Sequence, residues 1–287
     1  MTTALTSHNQ KGFTLIETLV ALAMFLVICG AVFKLLNSSQ QRYQTESQVL
    51  DSFQGARLGL DEIVRDASAA GYPPFSNYSS LPSGCNLNTT CSTLVNSPIA
   101  WHPGYVALTP CLIGTAGGGT CVTPGDFDVI FEGDFDNSGT VSWIRYQLVG
   151  TTLFRGITQK SNGGSAWAAL SNGSLMYPYI TNVMNNATPA QIATYKASYP
   201  NMFPGGNPQP VFQYYCPNPA APPAIVLCQS AVGNVTINGV SVPADSPSNV
   251  VDVEVTLIIK TPQRDAQTGA PRLVELNGRG QRVNPNQ

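Results

Sequence analysis

Glu17 is a carboxylate where charges are rare. It lies in the apolar run from Phe13 to Leu36, in which the next charge is Lys34. On insertion scales a charge at the centre of a membrane-length helix costs roughly 2.5–3.5 kcal/mol, and an acid in such a helix invites a functional explanation. The chemistry open to Glu17 is electrostatic: it can neutralise a cation that an apolar bundle would otherwise leave uncompensated. A second set of oxygen donors is Asp134, Asp136 and Ser138, at alternate positions before Gly139. Oxygens at this spacing could converge on one cation, as in the first half of a calcium loop, with Glu132 and Asp128 as further ligands. The residue where a bidentate Glu would close such a loop is Arg145, and the flanks read as strands. A β-turn built from Asp, Asn, Ser and Gly is therefore favoured over a calcium site.

Other chemistry finds little support. The two histidines are His8, in the polar leader, and His102, in the turn-like Ala100-Trp101-His102-Pro103-Gly104. A zinc hydrolase with two histidine ligands cannot be built from His102 alone. A Ser-His-Asp arrangement would also need His102, and no Gly-x-Ser-x-Gly elbow accompanies it. Gly114 to Thr120 lacks the Lys and the strand-to-helix setting of a phosphate-binding loop. The formal charge of −2 and the lack of a basic cluster with interleaved aromatics argue against nucleic acid. Arg264, Arg272, Arg279 and Arg282 give the carboxyl-terminal stretch only a mild basic bias. The chain reads as a non-enzyme with no resident cofactor.

Of the seven cysteines, Cys29 lies in the apolar run, and the other six suit an oxidising compartment. Six cysteines allow 15 pairings, and sequence alone does not choose among them. Sequence-adjacent pairing is the expectation: Cys85–Cys91, Cys111–Cys121 and Cys216–Cys228, each bracketing a Gly-, Pro- or Asn-rich loop. A bridge over such a loop contributes about 2–4 kcal/mol. A cysteine metal site is disfavoured by the lack of Cys-x-x-Cys spacing and of a His partner.

These residues need elements to position them. Phe13 to Phe33 would form a helix of about 32 Å at ~1.5 Å per residue, enough for a ~30 Å hydrocarbon core. Lys34 can then reach the headgroups. An ordinary secretory signal has its small-residue cleavage site after the apolar region. Here Gly12 precedes it, no A-x-A pattern follows Leu36, and the helical pattern continues. From Asn37 to Ala70, Tyr43, Leu50, Phe53, Leu60, Ile63, Val64 and Ala67 recur near the 3.6 period. Gly71-Tyr72-Pro73-Pro74 stops the helix. Gly55 and Gly59 form a small-xxx-small pair, expected to pack closely against the head. No proline interrupts the apolar half, and Gly30 is its weak point, by roughly 1 kcal/mol relative to Ala.

Lys11-Gly12-Phe13-Thr14-Leu15-Ile16-Glu17, followed by an apolar helix, resembles the class III signal of type IV pilins and type II secretion pseudopilins. The resemblance implies cleavage between Gly12 and Phe13 by a prepilin peptidase and N-methylation of Phe13. It also implies that Glu17 pairs with the free amine of a neighbouring subunit. Glu17 lies four residues after Phe13, on the same helix face. Loss of one partner of a buried pair costs ~3–5 kcal/mol.

Residues beyond the spine are rich in Gly, Pro, Asn, Ser and Thr, and numerous enough for one core. Asp126–Phe131, Thr140–Leu148 and Thr152–Ile157 read as an antiparallel meander. Asn249 to Lys260 reads as a strand with Arg272–Leu276 as partner, across a turn near Pro262 and Gly269. Val232–Val242 reads as a hairpin around Asn238-Gly239. Pro204–Pro208 and Pro217–Pro223 read as surface loops. Arg65-Asp66-Ala67 to Gly71-Tyr72-Pro73, the meander and the length most resemble PilW-type minor pilins; type II secretion minor pseudopilins share the plan.

The expected fold is α+β: a long helical spine followed by a disulfide-bonded, antiparallel β-sheet head of pilin type. The expected organisation is a leader at 1–12, a transmembrane and assembly helix at 13–36, its amphipathic continuation at 37–71 and a head at 72–287. The resemblance implies a single-pass inner-membrane precursor with a periplasmic head, incorporated at a filament tip or in a priming complex and so reaching the cell surface. Its partners would be other minor pilins, the major pilin, the prepilin peptidase and methyltransferase, and the assembly platform. An adhesin binding through its loops, or a membrane-tethered enzyme, are the readings from other classes.

Overall fold

The computed structural model describes residues 12, 14–74, 93–101, 111–114, 121, 123–160, 170, 173–237, 240–264 and 269–283. Phe13, Cys85, Cys91 and His102 lie outside the described residues.

One helix, α1, runs unbroken through 55 residues, Leu15–Ala69. It begins at Thr14, whose side chain accepts from the Glu17 N–H while the Glu17 carboxylate accepts from the Thr14 N–H. It ends before Gly71, at φ +90°, a left-handed conformation suited to glycine after a helix. A Cβ at Gly71 would lie 2.5 Å from Arg282 Nη2, so the site demands glycine twice over.

Among the described residues, the head contains two four-stranded antiparallel sheets. The first has the order β1 (Asp128–Gly133), β2 (Ser142–Val149), β3 (Thr152–Gln159) and β4 (Tyr177–Thr181). The second has the order β10 (Pro271–Gln281), β9 (Asp252–Arg264), β5 (Phe212–Pro217) and β6 (Ile225–Leu227). A separate hairpin joins β7 (Asn234–Ile237) to β8 (Val240–Pro243). A short helix, α2 (Pro189–Lys196), starts at a second capping box, with Thr188 and Gln191 exchanging hydrogen bonds.

Ala56, Leu60, Ile63 and Ala67 bury one stripe of α1 in the main core. They meet Val253, Val255, Leu257 and Ile259 of β9, and Tyr146 and Leu148 of β2. Glycine permits this close approach. A Cβ on Gly278 would come 2.7 Å from Val64 Cγ2, and one on Gly280 would come 2.8 Å from the Val64 carbonyl oxygen. The helix therefore lies almost on the backbone of β10.

The meander, the β7–β8 hairpin and the β9–β10 pair follow the sequence reading. Three details differ. Tyr43 and Leu50 are exposed, so the head takes hold of α1 only from the partly buried Phe53 and buries it fully from Ala56 onward. Gly59 packs against Ile180 as expected, but nothing lies within 4 Å of a Cβ on Gly55. Pro262 is not in the turn; β9 continues through it to Arg264. There β9 has lost β5, which pairs only with Asp252–Val255, and the register with β10 shifts beyond Leu273. A proline is tolerated where no second neighbour needs its N–H.

Candidate functional site

At the amino-terminal end, Thr14 and Glu17 form a compact capping box. The Thr14 N–H and hydroxyl each lie 3.0 Å from Glu17 Oε2. The Glu17 N–H points back at Thr14 Oγ1 at 3.4 Å. Within one chain the carboxylate thus organises the first turn, and it remains exposed for a further partner. The Thr-x-x-Glu spacing is a capping signature legible in the sequence. Apart from Glu17 and Thr18, the first turns of the helix are apolar all round. Leu15, Ile16, Leu19, Val20, Leu22, Met24, Phe25, Leu26, Val27 and Ile28 are all exposed. An apolar surface this continuous on a lone helix calls for a nonaqueous or protein surrounding. By length and composition α1 can cross a membrane.

A polar network clamps the other end of α1 to the head. Asp66 accepts the Tyr146 hydroxyl hydrogen at 2.6 Å and pairs with Arg155 at 3.2 Å. Arg155 also pairs with Glu62 at 3.1 Å and donates from Nε to the Tyr146 oxygen at 2.9 Å. Tyr179 donates to Glu62 at 2.6 Å. The guanidinium lies 5.7 and 5.9 Å from the Tyr146 and Tyr179 ring centres. Burial raises the Asp66 carboxyl above its usual range, opposed by Tyr146 and Arg155. Burial, then the Asp66 charge, drives the Tyr146 hydroxyl far up, so it stays a donor. Two acids on the spine thereby meet β2, β3 and β4. The sequence marks Asp66 only as part of the Arg65-Asp66-Ala67 stretch, because its partners are 80 or more residues away.

Arg282 closes the same end. Its Nε donates to Ala70 O at 3.2 Å and its Nη1 to Val250 O at 2.7 Å, tying the last helical carbonyls to the second sheet. Burial lowers its pKa to about 10. Arg282 is thus a buried internal helix cap, whereas Arg279 is exposed and pairs with the buried Asp252.

The Asp134–Gly139 segment is a turn. Asp134 Oδ1 accepts from the Ser138 N–H at 3.0 Å, and Oδ2 from the Gly139 N–H at 2.8 Å. Asn137 and Gly139 both take positive φ. The two extra ligands considered for a cation are engaged elsewhere. Asp128 binds Arg145 at 2.6 Å, and Glu132 binds Lys160 at 2.7 Å. Among the described residues, no group of three His, Cys, Asp or Glu side chains is placed to hold a metal.

Cys111–Cys121 and Cys216–Cys228 are disulfides, with S–S distances of 2.04 and 1.97 Å. Both pairings are the sequence-adjacent ones expected. The third expected pair, Cys85–Cys91, lies outside the described residues. Cys29 is a free thiol on the apolar helix.

No curated protein and no solved structure matches the chain. A family model does match at its amino-terminal end. Residues 7–33, which contain Gly12, Thr14 and Glu17, carry the prokaryotic N-terminal methylation motif, consistent with the class III signal of a type IV pilin.

Proposed function

We propose that this chain is a minor type IV pilin: a membrane-anchored structural subunit that takes part in starting a filament or forms part of its tip. The methylation motif supports a pilin-like or pseudopilin membrane-anchored subunit and implies handling by a prepilin peptidase. The observation that carries the reading is α1 itself. Its first half is an exposed apolar rod behind the methylation motif, and the same unbroken helix is clamped into a disulfide-bonded head. A structural role as anchor and lever follows from that continuity.

On this reading cleavage falls between Gly12 and Phe13, and the new amine of Phe13 becomes methylated. In the filament that cation faces Glu17 of an adjacent subunit, which sets the axial register. The precursor spans the inner membrane once with its head in the periplasm, and assembly brings the head to the cell surface. Its partners are the major pilin, other minor pilins and the assembly platform. The large head fits a tip or priming position better than a repeated shaft, and the PilW-type resemblance points the same way.

The test combines a deletion with Glu17→Ala. Deleting the gene should reduce surface filaments, and wild-type protein should restore them. Glu17→Ala protein should be processed at Gly12 yet fail to enter sheared filaments. Normal entry would refute the ion pair. Intact filaments with lost protein secretion would place the chain among the secretion pseudopilins instead.

A further inference from the structure

The head encloses a set of reactive groups that anchoring does not use. Lys160 lies just past β3, and its side chain is fully buried. Its Nζ is 2.7 Å from Glu132 Oε1 of β1, whose side chain is also fully buried. The same nitrogen donates to Asn96 Oδ1, and to Leu94 O at 2.7 Å. Glu132 Oε1 also accepts the Asn96 N–H at 2.8 Å, and Oε2 accepts Trp143 Nε1–H at 2.8 Å. Trp143, directly opposite Glu132 in the β1–β2 register, is itself wholly buried. A primary amine therefore touches both a carboxamide and a carboxyl group, and that carboxyl group also holds the backbone N–H of the half-buried Asn96.

This is the arrangement that amide transfer requires. The amine and the acyl carbon are held together, which in well-oriented systems is equivalent to about 10⁵–10⁸ M of one reactant. A carboxyl group in contact with the amine can carry its protons. Enclosure excludes the water that would compete as nucleophile.

We propose that Lys160 and Asn96 become joined by an isopeptide bond, with Glu132 as the proton carrier. The Lys160 ammonium first passes one proton to Glu132 across their contact. The freed Nζ lone pair attacks Asn96 Cγ, and the C=O π pair moves onto Oδ1. Glu132 then delivers its proton to Nδ2 and takes the remaining surplus proton from Nζ. The carbonyl reforms, the Cγ–Nδ2 bond breaks and ammonia leaves past the outer side of Asn96. The products are a secondary amide, one ammonia and a protonated Glu132. No oxidant, metal or cofactor enters the balance. The bond spans 64 positions of sequence. It fastens the 93–101 strip, which hydrogen-bonds β1 through Pro98 and Ala100, to the end of β3. A head under tension would gain a link that survives unfolding. The proposal stands apart from the pilin reading.

The test is mass spectrometry of the full-length wild-type protein. The intact mass should fall one ammonia below the sequence value, after allowance for disulfides and amino-terminal processing. Trypsin should fail to cut after Lys160, and fragmentation should place a branched peptide at Asn96. Lys160→Arg should restore the full mass, and Glu132→Gln should leave folded protein largely unbranched. Recovery of Asn96 and Lys160 in separate linear peptides from wild-type protein would overturn the proposal. A branch through Glu132 with loss of water would overturn the assignment of Asn96.

Discussion

Asp66 shows how much of the spine–head joint rests on a single side chain. It sits at the last turn of α1, buried, between a tyrosine hydroxyl and a guanidinium. Burial raises its carboxyl above the ordinary value of 3.8. The folded protein therefore holds a proton that the unfolded chain has already released. Stability changes with pH in proportion to the protons bound unfolded minus those bound folded, which is negative here. From about pH 3.8 up to the raised folded value, Asp66 thus makes stability fall as pH rises. Asp66→Asn should flatten that slope in denaturant titrations run upward from about pH 3.8. An unchanged slope would show that the carboxylate titrates as if exposed. Asp128 is raised by burial too and should keep its own share in the variant.

At the scale of elements, the contact between α1 and β10 decides whether the rod and the head move as one body. Gly280 lies under the helix, where an added Cβ would meet the Ala67 Cβ at 2.7 Å and the Val64 carbonyl oxygen at 2.8 Å. Neither neighbour can swing aside, since one is a first side-chain carbon and the other is backbone. Gly280→Ala should cost about 1–3 kcal/mol, the usual range for overpacking. At about 2–4 °C per kcal/mol for a head of this size, the melting temperature should drop by several degrees. A melting temperature equal to wild type would mean that the helix is not seated as described. Much of this layer was legible in the sequence. The 3.6-residue recurrence of Leu60, Ile63 and Ala67 marked the buried stripe. The alternation in β2 and the β-branched run in β9 marked their strands. Strands β4 and β5 were missed because each is short and marked by proline: Pro178 lies inside β4, and Pro217 ends β5. Helix α2 is a single capped octet with one buried residue, Ile192, too short for a periodic signal. The partners of Asp66 and Glu132 left no local trace either, because the fold brings them together across 11 to 89 positions.

At the scale of the molecule, the chain divides by solvent. The described part of α1 before Ala56 contributes no buried residue, whereas the core runs from Ala56 to Leu276. Residues 37–287 alone should therefore be soluble without detergent and unfold cooperatively, as circular dichroism on heating would show. Aggregation, or a melt without a transition, would mean that the apolar half also stabilises the head. The amino-terminal signal was the most legible feature of all, because its chemistry is local: a glycine, an apolar helix and one acid five residues beyond that glycine. Assembly as a pilin depends on processing at this signal, between Gly12 and Phe13. It is tested most directly by amino-terminal sequencing and intact mass of the protein extracted from membranes of its own cells. The expected result is a chain that begins at a methylated Phe13. A chain that retains residues 1–12, in cells that process other such precursors, would contradict the account.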